Sequence, residues 1–276
     1  MKKQWKKGFI ILLVFALAMG AAACGAQKQS GQNGESGDAA DSEVINVGTM
    51  GTYNPFSYTA EDGTLTGYDL EVLREIEKID PTLKFKFIAG PWDSLFVGLD
   101  ADKFQMLANQ ITSNPDRVAN YNLSKNQYFT CVSQIIVKKG RTDIQSLEDL
   151  QGKVIGLTVG DSFTRLVEDW NAAHGNILTI KYYEEDIVTI LQDIETGRVD
   201  ATVNDPIMAK DKAEVQGLQI EPVGERIAAD PTYFVFKKDA KGEELRDRVD
   251  AALDKLIESG RLSELSVEWF GEDYTK

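Results

Sequence analysis

Along residues 43–276 the spacing of apolar positions switches repeatedly between every second residue and every third or fourth. Such switching predicts strands interleaved with helices. Residues 44–47 read as a strand that ends at Gly48. Leu70, Leu73, Ile76 and Ile79 then fall on one stripe of a helix over 68–79, which Asp80-Pro81 stops. Phe85 and Phe87 alternate with Lys84 and Lys86 as a strand, 93–99 reads as a short helix, and 106–108 begins another strand. A further apolar strand covers 134–137. After Gly140 the alternation restarts, with strands at 154–159, 178–182 and 201–203 and helices at 163–173 and 187–195. A last strand at 233–236 precedes a helix over 245–259 and an apolar segment over 262–269. No repeat of fixed period is visible. Two runs of this kind, closed by a helical end, predict an α/β fold of two lobes with helices on both faces of the sheets. Ligands in such folds occupy crevices at the carboxyl ends of strands, so the residues just after strands carry the functional interest.

The first 42 residues follow a different pattern. Lys2, Lys3, Lys6 and Lys7 precede an unbroken apolar run from Phe9 to Met19, and small residues then lead to Cys24. This is the layout of a secretory signal over 1–23, and its apolar core is shorter than the roughly 20 residues a membrane-spanning helix needs. The residues before Cys24 resemble the lipobox of bacterial lipoproteins, departing from it at Ala21. The resemblance implies that Cys24 is lipidated and becomes the mature N-terminus. Residues 25–42 hold Gly, Gln, Ser, Asn, Ala and Asp with no large apolar side chain, so 24–42 reads as a flexible tether to a membrane.

Charge and composition narrow the class. The chain of 276 residues has a formal net charge of -14, and deleting residues 1–23 makes it more acidic still. An acidic body repels phosphate backbones and excludes nucleic acid as a partner. Cys24 and Cys131 are the only cysteines and His174 the only histidine. That composition supports no disulfide framework, no Ser-His or Cys-His nucleophile pair and no ordinary zinc site, and neither a metal nor a cofactor is expected. The glycines in 156–162 lack dinucleotide or P-loop spacing. His174, followed by Gly175, reads as a helix C-terminal residue. Cys131 reads as a buried free thiol in packed β structure.

Polar residues recur directly after the predicted strands: Tyr53 and Asn54 after the first, Asn109, Gln110 and Thr112 after another, Gly160-Asp161-Ser162 between a strand and a helix, and Asn204-Asp205 after the last strand of the second run. Arg117 lies five residues beyond Thr112. Together they suit a zwitterion: a guanidinium grips both oxygens of an α-carboxylate, hydroxyl and backbone N–H donors surround it, and a buried anion takes the ammonium. Aromatic walls at Tyr53 and Trp92 exclude water and strengthen those contacts. The alternatives at each position are ordinary: Arg117 as a surface ion pair, Asp205 and Ser162 as helix caps, Tyr53 and Trp92 as core aromatics, Thr112 as a turn residue, and Asn109 and Gln110 as strand-end hydrogen-bonding residues.

The segments 52–56, 63–69, 92–95, 108–117 and 147–153, in that order, resemble the family 3 extracellular solute-binding proteins, the amino-acid receptors of bacterial ABC importers. The resemblance runs over essentially all of 44–276. Asn109-Gln110, Val203-Asn204-Asp205 and the tail 265–271 are most similar to cystine-binding members. Gln105 and Asn122 depart from the aspartates usual in the family. The resemblance implies a two-lobe periplasmic-binding-protein-like fold with a hinge and an interlobe ligand cleft, with 43–135 and 229–276 as one lobe and 136–228 as the other. It implies that Arg117 and Thr112 bind the α-carboxylate with help from the Ser162 amide, that Asp205 takes the ammonium, that Tyr53 and Trp92 sandwich the side chain, and that Gln110 contributes backbone groups; Gly160, beside Ser162, belongs to the same set. Asn54, Asn109 and Asn204 are expected to receive the second end of cystine. A lack of further acids in these segments argues against a lysine or arginine receptor.

The expectation is therefore a monomeric, membrane-anchored, non-enzymatic receptor that captures cystine by hinge closure and delivers it to an ABC permease and ATPase complex. A receptor for another polar amino acid such as glutamine, a dehydratase-like cleft enzyme and a sensory or adhesion module on the same fold remain as alternatives.

Overall fold

The structure, a computed structural model, describes residues 43–184 and 187–276. The proposed signal, Cys24 and the tether lie outside the described residues. In chain order the elements are β1 (Glu43–Thr49), β2 (Thr52–Tyr53), β3 (Ser57–Thr59), β4 (Leu65–Thr66), α1 (Tyr68–Ile79), β5 (Leu83–Ala89), α2 (Trp92–Asp100), β6 (Met106–Thr112), α3 (Pro115–Asn120), β7 (Tyr121–Leu123) and β8 (Phe129–Lys138). A 3-10 turn at Glu148–Leu150 leads to β9 (Val154–Thr158), α4 (Ser162–Ala173), β10 (Thr179–Tyr183), α5 (Ile187–Thr196), β11 (Ala201–Asn204), α6 (Pro206–Gln216), β12 (Ile220–Lys237), α7 (Ala240–Glu258) and α8 (Arg261–Phe270).

One mixed sheet runs in the order β10-β9-β11-β8-β12-β6-β1-β5, with β7 added against β12. At one end β1 is parallel to β5 and β6; at the other β9 is parallel to β10 and β11. Each parallel group is the strand set of one lobe, as the alternating pattern predicts. The antiparallel strands β8 and β12 join them, and their register breaks between Val223 and Ala228. Gly224 sits in that break at φ 68, where an added Cβ would run into the backbone carbonyl of Gln145. A small second sheet, β2-β3-β4, packs beside the first lobe.

The apolar stripe of α1 explains its placement. Leu70, Val72, Leu73 and Ile76 are fully buried, each removing side-chain area worth about 1.5–3 kcal/mol from water. Val72, Leu73 and Ile76 join Ile45, Val47, Leu83 and Met106 of the first sheet group in one cluster, while Ile155, Leu157, Val167 and Val203 anchor another under β9 and α4. Gln105 keeps a brace despite its departure from the family pattern, its Oε1 accepting from Asn46 N–H at 3.0 Å. Asn122 donates from Nδ2 to the Lys237 carbonyl at 3.2 Å.

Three features differ from the sequence expectation. β6 continues through Asn109–Thr112 rather than ending before them, because Ile111 and Thr112 pair with Tyr233 and Thr232 of β12 and all seven strand residues are buried. β12 begins at Ile220 rather than near 233; Pro222, Gly224, Pro231 and its charged residues mask it. α3, α6 and the small sheet are additions. Both helices start with proline in the first turn behind a side-chain cap, Asn114 for α3 and Asp205 for α6. His174 caps α4 as expected, its Nδ1 2.7 Å from the Trp170 carbonyl and its ring stacked on that tryptophan.

Candidate ligand-binding site

A cavity of about 50 Å³, open to solvent on one side, lies where the carboxyl ends of the two parallel groups face each other. Met50, Tyr53, Trp92, Asn109, Gln110 and Arg117 line it from the first lobe; Thr158, Asp161, Ser162, Phe163, Ile187 and Asn204 line it from the second. Seven of the ten ligand residues expected from sequence are therefore on its wall. Thr112 and Gly160 are one contact behind it, and Asp205 is behind Asn204.

Arg117 is positioned by its own short helix. The Asn114 side chain accepts from Arg117 N–H at 2.8 Å and starts α3, so the arginine turns back toward the end of β6. Its Nη1 donates to the Thr112 carbonyl at 2.8 Å and to Thr112 Oγ1 at 3.3 Å, and its Nη2 reaches the Gly160 carbonyl across the cleft at 3.4 Å. Trp92 and Phe96 lie against the guanidinium, with ring centroids 5.6 and 5.5 Å from Cζ. Only 6% of Arg117 is exposed, and burial lowers its pKa to about 10, still protonated at neutral pH. A desolvated cation of this kind gains strongly from an anion.

Gln110 occupies the left-handed region at φ 51, uncommon for a side chain of its kind, at the irregularity where β6 meets β12. Asp69 of α1 holds it there: Gln110 N–H donates to Asp69 Oδ2 at 3.0 Å and its Nε2 to Oδ1 at 2.5 Å. Tyr53 donates its hydroxyl proton to Asn204 Oδ1 at 2.6 Å, bridging the lobes, and stacks on Phe56 at 5.5 Å. On the same rim, buried Lys212 of α6 donates from Nζ to the Thr52 carbonyl at 2.8 Å and to Asn54 Oδ1 at 2.9 Å.

Asp205 is fully buried. Its Oδ1 accepts from Ile207 N–H at 2.7 Å, capping α6, and its Oδ2 accepts from Val132 N–H at 3.1 Å with Cys131 Sγ at 3.6 Å. Burial lifts its pKa to about 6 against the pull of those donors. Cys131 is a free, buried thiol whose own pKa burial and the neighbouring carboxylate raise, so it is an unreactive neighbour.

Asp161 stands in the strand-end segment 160–162 without a role of its own in the sequence reading. Its side chain caps α4, accepting from Thr164 N–H at 2.7 Å, and it also lines the cavity near Arg117. Burial raises its pKa to about 6, opposed by the Thr164 N–H and then by Arg117. Aspartate ahead of a serine at a helix start signals a cap, and nothing local distinguishes a cap from a cap that faces a ligand. Among the described residues no His, Cys, Asp and Glu group suits a metal ion.

A mixed α/β fold of two lobes, with a cleft that offers a buried guanidinium and buried carboxylates, has the make-up of a receptor for small zwitterions. The chain belongs to the bacterial extracellular solute-binding proteins, family 3, whose family model matches residues 45–272. It is 35% identical over 270 residues to the probable amino-acid-binding protein YxeM of Bacillus subtilis, covering 98% of this chain and 97% of that one. It is likewise 35% identical to the L-cystine-binding protein TcyA of Bacillus subtilis, covering 98% of this chain and all of TcyA. Among solved structures, a putative L-cystine ABC transporter protein from Listeria monocytogenes superposes with a TM-score of 0.76 at 30% identity, covering 85% of this chain and 98% of that one. No described helix is long and apolar enough to cross a membrane.

Proposed function

We propose that this protein captures an amino acid, with cystine favoured, by closing its two lobes around it, and hands it to an ABC permease and ATPase complex. The observation that carries this reading is the Arg117 site: a cation taken out of water, oriented by Thr112 and two aromatic rings, and facing a cavity between the lobes. In this reading Arg117, Thr112 and the Ser162 amide bind the α-carboxylate, and Asp205 supplies the negative field for the α-ammonium through the cavity wall. Tyr53 and Trp92 flank the side chain, and Asn109, Gln110, Gly160 and Asn204 complete the set. The likeness to TcyA and to the Listeria protein supports cystine as the ligand.

The lobes are assigned as 43–135 with 229–276, and 136–228. The register break in β12 between Val223 and Ala228 supports a hinge at that crossing. Residues 1–23 act as a signal peptide, lipidated Cys24 as the anchor, and 24–42 as the tether of an extracytoplasmic monomer. Titration calorimetry of the purified full chain against the amino acids and cystine tests the ligand. Arg117→Ala should lose binding by about 2–5 kcal/mol while still melting cooperatively, because the ligand carboxylate is left buried and unpaired; unchanged affinity in that folded variant refutes the site. Cys24→Ser should move the protein from the membrane to the soluble extracytoplasmic fraction with affinity unaltered, and a variant that stays membrane-bound refutes the anchor.

A further inference from the structure

We propose that Asp161 is the specificity residue of the cavity: it receives a second cationic nitrogen, so the ligand is an amino acid that carries one beyond its α-ammonium. The inference deepens the amino-acid reading above and rests on it. The asparagine oxygens of the cleft already have partners. Asn109 Oδ1 accepts from Met50 N–H at 2.9 Å and from the Thr49 hydroxyl at 3.3 Å. Asn204 Oδ1 accepts from the Tyr53 hydroxyl at 2.6 Å and from Asp205 N–H at 2.9 Å. Asn54 Oδ1 accepts from Lys212, and Asn54 is not on the cavity wall. The asparagine oxygens that were expected to meet the far end of a ligand are thus engaged by the protein itself.

Gln110 Oε1 has no donor among the described residues, yet it is sealed from the cavity. Asp205 is also closed off, with both oxygens engaged. Asp161 remains. It is the carboxylate on the cavity wall: its Oδ1 caps α4 through Thr164 N–H at 2.7 Å, Arg117 acts on it through space, and no Lys, Arg or His nitrogen among the described residues is close enough to form a salt bridge with it. A carboxylate in a desolvated cleft without an ion-pair partner is costly, and a ligand cation removes that cost. Arg117 supplies one positive charge, while Asp161 and Asp205 supply two negative ones. That inventory complements a ligand with one carboxylate to grip and two cationic nitrogens. Cystine fits, its second carboxylate facing the Asn109 and Asn204 Nδ2 donors, and so do lysine and arginine. The absence of further acids that argued against basic ligands does not hold in the folded site.

The test is calorimetry of the full chain and of Asp161→Asn with cystine, lysine, arginine, glutamine and serine. Asparagine caps helices about as well as aspartate, so α4 keeps its start and only the charge is lost. Wild type should prefer one or more of the doubly cationic ligands, and Asp161→Asn should weaken those by about tenfold or more, the size of one charge-assisted hydrogen bond, while glutamine changes less than about threefold. Asp161→Ser, another capping residue, should behave in the same way and serves if the asparagine variant does not fold. Equal loss for every ligand, loss for none, or a wild type that prefers glutamine overturns the inference alone. A wild type that binds no amino acid overturns the reading beneath it.

Discussion

Asp69 shows how a residue that touches no ligand can set the site. It is fully buried, and burial raises its pKa to about 7 despite the hydrogen bonds from Gln110 and Tyr128. Between the ordinary carboxylate range and about pH 7 the native protein therefore keeps a proton that the unfolded chain releases. Its stabilising contribution is complete at acid pH and is lost as pH rises through about 7, at a rate of about 1.4 kcal/mol for each pH unit crossed in that window. Asp161, Asp205 and Asp250 have raised pKa values as well, so the informative quantity is a difference between variants. Asp69→Asn cannot ionise, and its melting temperature relative to wild type should climb between about pH 4 and about pH 7; a pH-independent difference would show that Asp69 is not the group that titrates there. Tyr53, Asn109, Gln110, Ser162 and Asn204, singled out for their places after strands, all reach the cavity wall, because strand ends converge in such folds. The Asp69–Gln110 contact was not, since it joins residues 41 positions apart through a backbone conformation that sequence does not announce.

At the scale of elements, α6 carries a cross-cleft clasp. Lys212 lies on a helix with no clear apolar stripe, so periodicity missed the helix and gave no reason to single out the lysine. In the folded protein its ammonium sits on the Thr52 carbonyl and on Asn54, beside the Tyr53–Asn204 bridge and outside the cavity. In the hinge closure proposed above, opening the cleft separates those partners and ligand enters before they meet. Lys212→Met keeps the length and removes the donor, and it should speed ligand release about tenfold, the cost of roughly one hydrogen bond from a charged group, with association little changed. Stopped-flow measurement of both rates checks this, and an unaltered release rate would show that the clasp bears no load.

At the scale of the molecule, the helix–strand alternation was readable because α1, α2, α4 and α5 repeat with the helical period, β5 alternates with the strand period, and β9 and β11 are short apolar runs buried almost throughout. β12 was legible only at its apolar end, since its two prolines and charged residues read as loop, and only pairing on both sides makes the rest a strand. Its position also orders the birth of the protein. The strand that lies between β6 and β8 is the last to be made, so every shorter chain leaves those two strands with bare edges. The β8 edge is covered only once residues 220–232 are available and the β6 and β7 edges only once residues 232–237 are, so a chain cut before β12 leaves unpaired borders on both sides of its place. Exposed, unpaired edges of this kind invite self-association. A chain that waits for its C-terminal quarter before the sheet can close lacks its joining strand through most of its synthesis.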